Sequence, residues 1–445
     1  MSTENSEDAL SRVVGVQGLA ATVVNNSIGG SIYALPALIA IQLGVAAIIG
    51  YFLCGLMFVT IILCYVEVGS RIKTTGGSYA YVESAFGLFP GFIVNWLFFF
   101  GWGILSDAAL MNIVADSLSV MVPSFANPLV RALLLLILIG LMLFINVYSA
   151  KLSVRFVELI TIIKLIPLFA IMIFGFSHVK AANLHWEHLP SLRSFEDSAL
   201  ILFFCFAGFE TSLNVSGEIK DPKRTVPRGI LLGGILVFSI YILIQLVMQG
   251  VLGEHVKEFK DAPLAAVAEK VFGSTGAIII LVAAMISGFA TVSGDVLASP
   301  RLLYAGAKDG LFPKFLGKIH PRFGTPHLAI IIYCLLIFIL SVSGGFKQLA
   351  ILASGALLLI YLAVVLAMIR LRLKKDAVVE KGFKVPGGMI IPFIAIAAII
   401  WVLSNLSRAE IISLGIFIAV ISVIYFVMKK WQSKAGKKAG NYFKE

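Results

Sequence analysis

Long apolar runs separated by short polar connections dominate this chain. A helix needs about 20 mostly apolar residues to cross the hydrocarbon core of a bilayer. Twelve runs can be marked by apolar length and by flanking helix breakers. Their approximate bounds are 13–40, 43–68, 89–119, 128–149, 156–176, 197–219, 229–252, 275–306, 327–344, 348–370, 389–405 and 410–429. The longest hydrophilic connection, at about 177–196, is too short for a folded domain. The pattern therefore predicts an all-α membrane protein with twelve transmembrane helices.

The composition supports a membrane location. Of the 445 residues, 59% are hydrophobic and 13% are charged, whereas a soluble domain is about half apolar and about a quarter charged. We therefore expect an integral, multi-pass protein surrounded by the lipid bilayer. The first run follows a polar, acidic segment and has no short apolar region with a cleavage site. It is expected to be a retained helix and not a signal peptide.

The basic residues predict the orientation. The net charge is +11, and most of the 35 Lys and Arg residues fall in alternate connections and in the two tails. Cytoplasmic segments carry such an excess of positive charge. We therefore expect both termini in the cytoplasm, with the protein in the plasma (inner) membrane. Because topology accounts for the charge, nucleic acid is not an expected partner.

Two of the runs are interrupted by residues unsuited to a membrane helix. The first contains NNSIGGSIYALP (25–36), and the sixth contains CFAGFETSLNVSGE (205–218). Irregular backbone is tolerated at membrane depth only where protein or a water-filled cavity satisfies it. Interrupted helices at matching positions of two halves are typical of transporters with an inverted repeat. The alternative is that the glycines serve close packing of helices.

A break in a helix frees polar backbone groups that can hold a substrate. N–H groups and the positive end of a half-helix at Gly29, Gly30 and Ser31 suit a carboxylate. Freed carbonyl groups around Phe204 to Ala207 suit an ammonium group. The two breaks together predict a site for an amino acid held by backbone groups.

Four motifs in order resemble the amino acid–polyamine–organocation (APC) superfamily of secondary transporters. They are SIGGSIYALP (27–36), CYVEVGSRIKTTGGSYAYVESAFG (64–87), FCFAGFETSLNVSGEIKDPKRTVPRGI (204–230) and SPRLLYAGAKDGLFPKFLGKIHPRFGTP (299–326). The resemblance implies the LeuT-type fold, in which two inverted repeats of five helices have their first helices, 1 and 6, broken. The expected domains are a cytoplasmic tail (1–12), one transporter domain (13–429) and a basic cytoplasmic tail (430–445). The transporter domain would contain the first repeat (13–176), the second repeat (197–370) and helices 11 and 12 (389–429).

The resemblance also implies roles for individual residues. Gly29, Gly30 and Ser31 would bind the substrate carboxylate, and the carbonyl groups of Ser27, Phe204 and Ala207 would bind its ammonium group. Phe204 or Phe209 would be an aromatic lid, and Ser106 would face the substrate side chain. Asn25 and Asn26 stand where relatives often have glycine or small apolar residues. This departure leaves the shape of the side-chain pocket open and makes Asn26 a candidate lining residue.

Lys164 is an ionisable residue within a predicted crossing. Such residues are rare, and we therefore expect a functional role for Lys164. Burial disfavours the charged form of a lysine, so exchange of a proton near neutral pH is expected. By resemblance, this lysine takes the place of a sodium ion between helices 1 and 8, with Ser287 and Thr291 as candidate neighbours. Protons would then be the coupling ion. The alternative is a permanently charged lysine that acts as a structural tie.

Three acidic residues lie within other predicted crossings. Glu210 follows the break in helix 6 and is a candidate proton relay or gate contact. Asp107 lies beside Ser106 in helix 3. Asp295 stands in helix 8 where many relatives have a large apolar contact to the substrate, and a carboxylate there would favour a cationic substrate. Alternatively, Asp295 pairs with Asn26, a backbone amide or Lys164 and does not meet substrate. Glu67 is expected to be an inner-gate or loop anchor.

The predicted function is secondary active transport of amino acids by alternating access, coupled to protons through Lys164, with a possible preference for cationic amino acids or amines. One alternative is a pH-independent exchanger of the same fold, and another is a channel or passive pore. Neither a nucleophile–base pair nor a metal motif is evident, so we expect no enzyme activity, no cofactor and no metal. No cysteine marks the entrance to helix 4, where some relatives link to a partner, so no obligatory partner subunit is expected.

Overall fold

The computed structural model describes residues 14–72, 76–148, 164–185, 190–213, 219–308, 314–373 and 382–441. These residues are helical apart from turns, connections and one isolated β-bridge between Val14 and Ile219. The α-helices are α1 (Val16–Ser27), α2 (Leu35–Leu43), α3 (Ala47–Arg71), α4 (Gly77–Phe86), α5 (Leu88–Trp96), α6 (Leu105–Met121), α7 (Pro128–Tyr148), α8 (Lys164–His178), α9 (Leu192–Phe206), α10 (Pro222–Leu252), α11 (Pro263–Lys308, with a kink at Gly273), α12 (His327–Ser343), α13 (Phe346–Leu373), α14 (Ile390–Leu403) and α15 (Arg408–Asn441).

Each of the twelve predicted runs contains helix where the structure describes it. Seven helical stretches in the described residues are long and apolar enough to cross a membrane, and they are Leu35–Arg71, Leu88–Met121, Pro128–Tyr148, Pro222–Phe259, Pro263–Pro300, Phe346–Leu373 and Arg408–Lys430. Three apolar helices are shorter, namely Lys164–His178, His327–Ser343 and Ile390–Leu403. The start of the fifth predicted run lies outside the described residues. At the other end of the chain, α15 continues past the predicted limit of 429 to Asn441.

Large apolar side chains cover the outer surface of the helical assembly. On α7, for example, Leu129, Leu133, Ile137 and Phe144 are exposed, whereas only one narrow face of this helix is buried. Monomeric soluble proteins rarely expose continuous apolar surface of this extent. This surface and the long apolar helices make the chain an integral, multi-pass membrane protein.

A π-helical stretch widens the long helix that runs from Leu88 to Met121. It covers Leu97–Ile104 and joins α5 to α6. π-helical turns are rare and frequently occur at functional sites. Here the stretch carries Trp102, which faces the interior of the assembly.

A buried carboxylate ties together the end of α3, the end of α13 and the segment before α14. Glu67 is fully buried, and it accepts hydrogen bonds from Arg372 Nε at 2.6 Å, from Arg372 Nη2 and from the backbone N–H of Val385 at 2.8 Å. Arg71 Nη2 lies 2.8 Å from the same carboxylate. Arg372 also donates to the carbonyl oxygen of Gly388 at 2.6 Å. Glu67 thus anchors the connection that precedes α14.

Replacing Arg372 with alanine should destabilise the protein, because it removes the main partner of a buried carboxylate. Glu67 keeps Arg71 and the N–H of Val385 as partners, so the loss costs about 1.5–3 kcal/mol. We expect a lower midpoint of thermal unfolding in detergent for Arg372→Ala. Arg224→Ala is the matched control, since Arg224 is exposed and lies 3.8 Å from Asp221. An exposed pair contributes about 1 kcal/mol or less. Equal midpoints for the two variants would contradict the anchoring role of Arg372.

Candidate functional site

The breaks in the first and sixth predicted helices touch each other. Helix α1 ends at Ser27, and a 3-10 turn at Gly30–Tyr33 precedes α2. Helix α9 ends at Phe206, and a second 3-10 turn follows at Phe209–Leu213. Both interruptions that the sequence predicts are therefore present in the structure.

Gly208 allows the two interruptions to meet. Its φ of +112° is a backbone conformation that residues with a side chain rarely adopt. A Cβ atom on this residue would lie 2.5 Å from the carbonyl oxygen of Asn26. Only glycine therefore fits at this contact between the two backbones.

The side chain of Asn26 joins the two broken segments. Its Nδ2 donates to Thr211 Oγ1 at 2.7 Å and lies 3.3 Å from Ser212 Oγ. Thr211 in turn donates to the carbonyl oxygen of Gly208 at 2.6 Å. Asn26 does not pair with Asp295 in this structure. Where relatives often have a small residue, this chain thus has a side chain that links the breaks.

Helix α11 lies against the first break from the other side. A Cβ atom on Gly30 would lie 3.0 Å from the Cα atom of Gly288. Gly29 faces Thr291, whose Oγ1 would lie 3.5 Å from an added Cβ atom. The glycines thus serve close packing, as the alternative interpretation of the sequence had it, and they also lie at a helix break.

A cavity of about 350 Å³ lies where these elements meet. Sites for small molecules are typically about 300–1,000 Å³. Its lining comprises Thr22, Asn25, Asn26, Ser27, Gly29, Ser31, Phe98, Trp102, Ser106, Leu110, Lys164, Phe204, Ala207, Gly208, Thr211, Ser212, Ala290, Thr291, Gly294, Asp295, Leu297, Ala298 and Ser299. Of these residues, Ala298 is exposed and Thr22 is partly exposed, whereas Ser27 to Tyr33 are buried. The cavity is therefore accessible from the side on which α1 begins.

Most of the residues predicted to form the site line this cavity. They are Asn26, Ser27, Gly29, Ser31, Ser106, Lys164, Phe204, Ala207, Thr291 and Asp295. Four others lie behind the lining, namely Gly30, Phe209, Glu210 and Ser287. The Ser287 carbonyl oxygen accepts the hydroxyl of Thr291 at 2.9 Å. This bond directs Thr291 to its own helix and not to Lys164.

Lys164 is buried, and its Nζ donates to the carbonyl oxygen of Asn25 at 3.0 Å. This bond connects α8 to α1 three residues before the break. The hydroxyl of Tyr33, on the other side of the break, donates to the carbonyl oxygen of Lys164 at 3.2 Å. Lys164 also interacts electrostatically with Asp295. The residue thus holds both sides of the first break.

Several polar atoms at the cavity have no partner among the described residues. The hydroxyl of Ser27 and the side-chain oxygen of Asn25 are buried without a hydrogen bond. Such groups cost free energy unless they bind water or a ligand. The carbonyl oxygen of Ser27 already accepts the hydroxyl of Tyr241 at 3.4 Å, and that hydroxyl lies 3.3 Å from Ser31 Oγ. A carbonyl oxygen has a second lone pair, so Ser27 retains one acceptor position.

The two phenylalanines proposed as a lid lie in different places. Phe204 is part of the cavity wall, with its ring 5.5 Å from that of Trp102. Phe209 instead packs in a buried aromatic cluster with Phe58, Tyr65 and Tyr361, at ring distances of 5.4, 5.2 and 5.8 Å. Of these two phenylalanines, only Phe204 can therefore contact a ligand in this conformation.

Glu210 faces this aromatic cluster and not the cavity. Its carboxylate accepts the backbone N–H of Gly208 at 3.0 Å and the hydroxyl of Tyr361 at 2.8 Å. It is fully buried. Glu210 thus fixes the turn at Gly208 and connects it to α13.

Sequence reasoning missed Trp102, Thr211 and Ser212 as lining residues. Trp102 lies in the apolar run FFFGWGI, which does not indicate whether its side chain points toward the cavity. Thr211 and Ser212 directly follow the second break, and their hydroxyl groups could have identified them from the sequence as lining residues. Within the described part of the chain, no three His, Cys, Asp or Glu side chains come together to hold a metal ion.

Comparison with known proteins defines the class to which this fold and site belong. The family model described as amino acid permease matches residues 14–428. The chain therefore belongs to the amino acid permease family of the APC superfamily, and the family predicted from the motifs is confirmed. The family and the relatives that match the chain are transporters and not enzymes.

Three relatives show the range of the family that this chain resembles. The serine/threonine exchanger SteT of Bacillus subtilis is 27% identical, and the alignment covers 95% of this chain and 98% of SteT. The methylthioribose transporter of the same organism is also 27% identical, over 98% of this chain and 97% of the relative. The large neutral amino acids transporter small subunit 2 of Homo sapiens is 25% identical, and the alignment covers 96% of this chain and 82% of the relative.

Replacing Gly208 with alanine should impair transport, because the added Cβ atom collides with the carbonyl oxygen of Asn26. Separating the breaks displaces the lining residues, and a misplacement of about 1 Å can reduce activity on the order of a hundredfold. We expect Gly208→Ala to lower amino acid uptake into proteoliposomes at least tenfold, as a rough bound. Gly140→Ala on α7 is the matched control, since nothing lies within 4 Å of its added Cβ atom. Equal uptake by both variants would contradict the close contact.

Proposed function

We propose that this protein is a secondary active transporter of amino acids or related amines that works by alternating access. The observation that carries the proposal is the cavity at the contact of the two helix breaks. It contains polar backbone, unpaired hydroxyl and amide groups, and one lysine. A channel would require a continuous pore or a selectivity ring, whereas here the breaks form an internal pair around a cavity that is accessible from one side.

The proposed arrangement is the LeuT-type fold with twelve crossings. Residues 13–176 and 197–370 form the two inverted repeats, and 389–429 form helices 11 and 12. The order of helices supports this division, because α1 and α9, which end at the breaks, begin the two halves. With both termini in the cytoplasm, the exposed side of the cavity at Thr22 and Ala298 faces inward.

The proposed substrate orientation follows from the backbone at the breaks. The carboxylate lies against the N–H groups of Gly29, Gly30 and Ser31, at the start of the 3-10 turn. The ammonium group lies near the carbonyl groups of Ser27, Phe204 and Ala207. Phe204 and Trp102 form the adjoining wall.

Proton coupling is proposed to pass through Lys164. The protonated form donates to the carbonyl oxygen of Asn25 and holds α1 against α8. Loss of the proton removes one hydrogen-bond donor from Lys164. It also removes the electrostatic attraction between Lys164 and Asp295. The start of α1 can then move relative to α8. A sodium ion is not required, because the ammonium group supplies the positive charge.

A pH-independent exchanger is the second candidate. It is favoured by the similarity to SteT, whose name describes a serine/threonine exchanger. In that case Lys164 is a structural tie with a constant charge.

Partner subunits are a separate question, because the name of one relative describes it as a small subunit. We propose no obligatory partner subunit here, because Cys54, Cys64, Cys205 and Cys334 are all buried and unpaired.

Uptake of labelled serine, leucine, lysine and arginine into proteoliposomes tests the proposal. We expect saturable uptake that an inward proton gradient stimulates and that Lys164→Ala reduces to the level without a gradient. Lys347→Ala is the matched control, since Lys347 is exposed at the start of α13. The control should retain stimulation by the gradient.

Two other results would change the assignment. Uptake that needs preloaded amino acid and ignores the gradient would replace the proton-coupled mechanism with exchange. Absence of saturable flux for every amino acid and amine, with the protein correctly folded, would contradict the proposed function.

A further inference from the structure

Two carboxyl groups meet at the wall of the cavity between α6 and α11. Asp107 is fully buried, and its Oδ2 accepts the hydroxyl of Tyr333 at 2.8 Å. Its Oδ1 is buried and receives no hydrogen bond from an N–H or hydroxyl group of the described residues. Asp295 lines the cavity and lies within hydrogen-bonding reach of Asp107. One carboxyl group therefore faces the ligand space and the other supports it from behind.

The contact between the two groups requires a proton. Ionised carboxylates accept hydrogen bonds but do not donate them. Two carboxyl groups within hydrogen-bonding reach in a buried site therefore favour sharing one proton, since two adjacent negative charges repel. With one shared proton the pair carries a single negative charge.

The other titratable groups around the pair include one cation. Lys164 on α8 is the one cationic group that acts on Asp295 among the described residues. Glu210, after α9, adds a further carboxyl group in electrostatic contact with Asp295. On α12, Tyr333 and Cys334 are neutral when protonated and face Asp107. The region holds three carboxyl groups and one ammonium group.

We infer that the Asp107–Asp295 pair is a specificity site for the cationic end of a substrate, which exchanges with the proton that the pair holds. The ligand class is an amino acid or amine with a second positive group, such as an ammonium or guanidinium group. The inference rests on the proposed function and identifies the substrate class of the same cavity. Ser106, which precedes Asp107 on α6, also lines the cavity on this side.

Protons and charge balance in this exchange. Before binding, the pair has two carboxyl groups, one proton and one negative charge. The cationic group enters beside Asp295, and the proton leaves to the water of the cavity. Both carboxylates are then ionised around one positive charge, so the net charge is unchanged. A neutral amino acid does not displace this proton, because it brings no second cation.

Proton release on binding tests the inference directly. The full-length protein in nanodiscs is titrated with arginine, lysine, agmatine or serine by calorimetry, in two buffers of different ionisation enthalpy at one pH. Cationic ligands should release about one proton more than serine does. The comparison with serine cancels any proton that Lys164 releases for every substrate.

Variants separate the pair from a merely structural role. In Asp107→Asn, the amide donates to Asp295 without a shared proton, so the extra proton release should disappear while arginine still binds. In Asp295→Asn, arginine affinity should fall at least about tenfold, and by a larger factor than serine affinity. Asp197→Asn, at an exposed carboxylate on α9, is the matched control and should leave both quantities unchanged.

The outcomes distinguish this inference from the proposed function. If serine binds and is transported, but no cationic ligand binds, or cations release no extra proton, the inference is overturned and the transport proposal stands. If serine and the cations all fail to bind and to be transported, the proposed function itself fails. The measurement on the unmodified protein decides the inference even if one variant does not fold.

Discussion

Backbone groups that leave a helix inside a membrane must find partners, since lipid offers none. In this protein side chains supply several of those partners, since Lys164 donates to the carbonyl oxygen of Asn25 and Glu210 accepts the N–H of Gly208. Gly208 brings its segment against the carbonyl group of Asn26, and the Asn26 side chain bonds to Thr211 beyond the second break. The cavity lies where the two irregular segments meet, and at the first break Asn25 and Ser27 each have a buried polar atom with no partner among the described residues. A site for a small polar molecule follows from that arrangement.

Around this contact, the structure separates groups that touch the cavity from groups that fix its walls. Lys164 reaches the cavity and bonds to α1 beside the break. Glu210 faces away from the cavity and fixes the turn at Gly208, together with Tyr361. Glu67 and Arg372 hold the ends of α3 and α13 at the edge of the assembly. In the proposed mechanism, Lys164 is the group whose bond can change with protonation, while the other two contacts hold the surrounding helices.

Local sequence was sufficient for the helices and for the position of both breaks, because apolar length, glycine and misplaced polar residues are local signals. Lys164 and Asp295 were found because charge within an apolar run is rare. The direction of Phe209 and Glu210 was not predictable, since it depends on the positive φ of Gly208. The pairing of Asp107 with Asp295 and of Glu67 with Arg372 depends on packing between helices far apart in sequence. No local pattern encodes those contacts.

We propose that the backbone at the contact of the two breaks holds the ligand. An experimental structure with a transported amino acid bound tests it most directly. We expect a carboxylate within hydrogen-bonding distance of the N–H groups of Gly29 to Ser31, and an ammonium group near Ala207. A ligand located elsewhere, for example in the small cavity lined by Tyr33 and Asp261, would contradict this mode of binding.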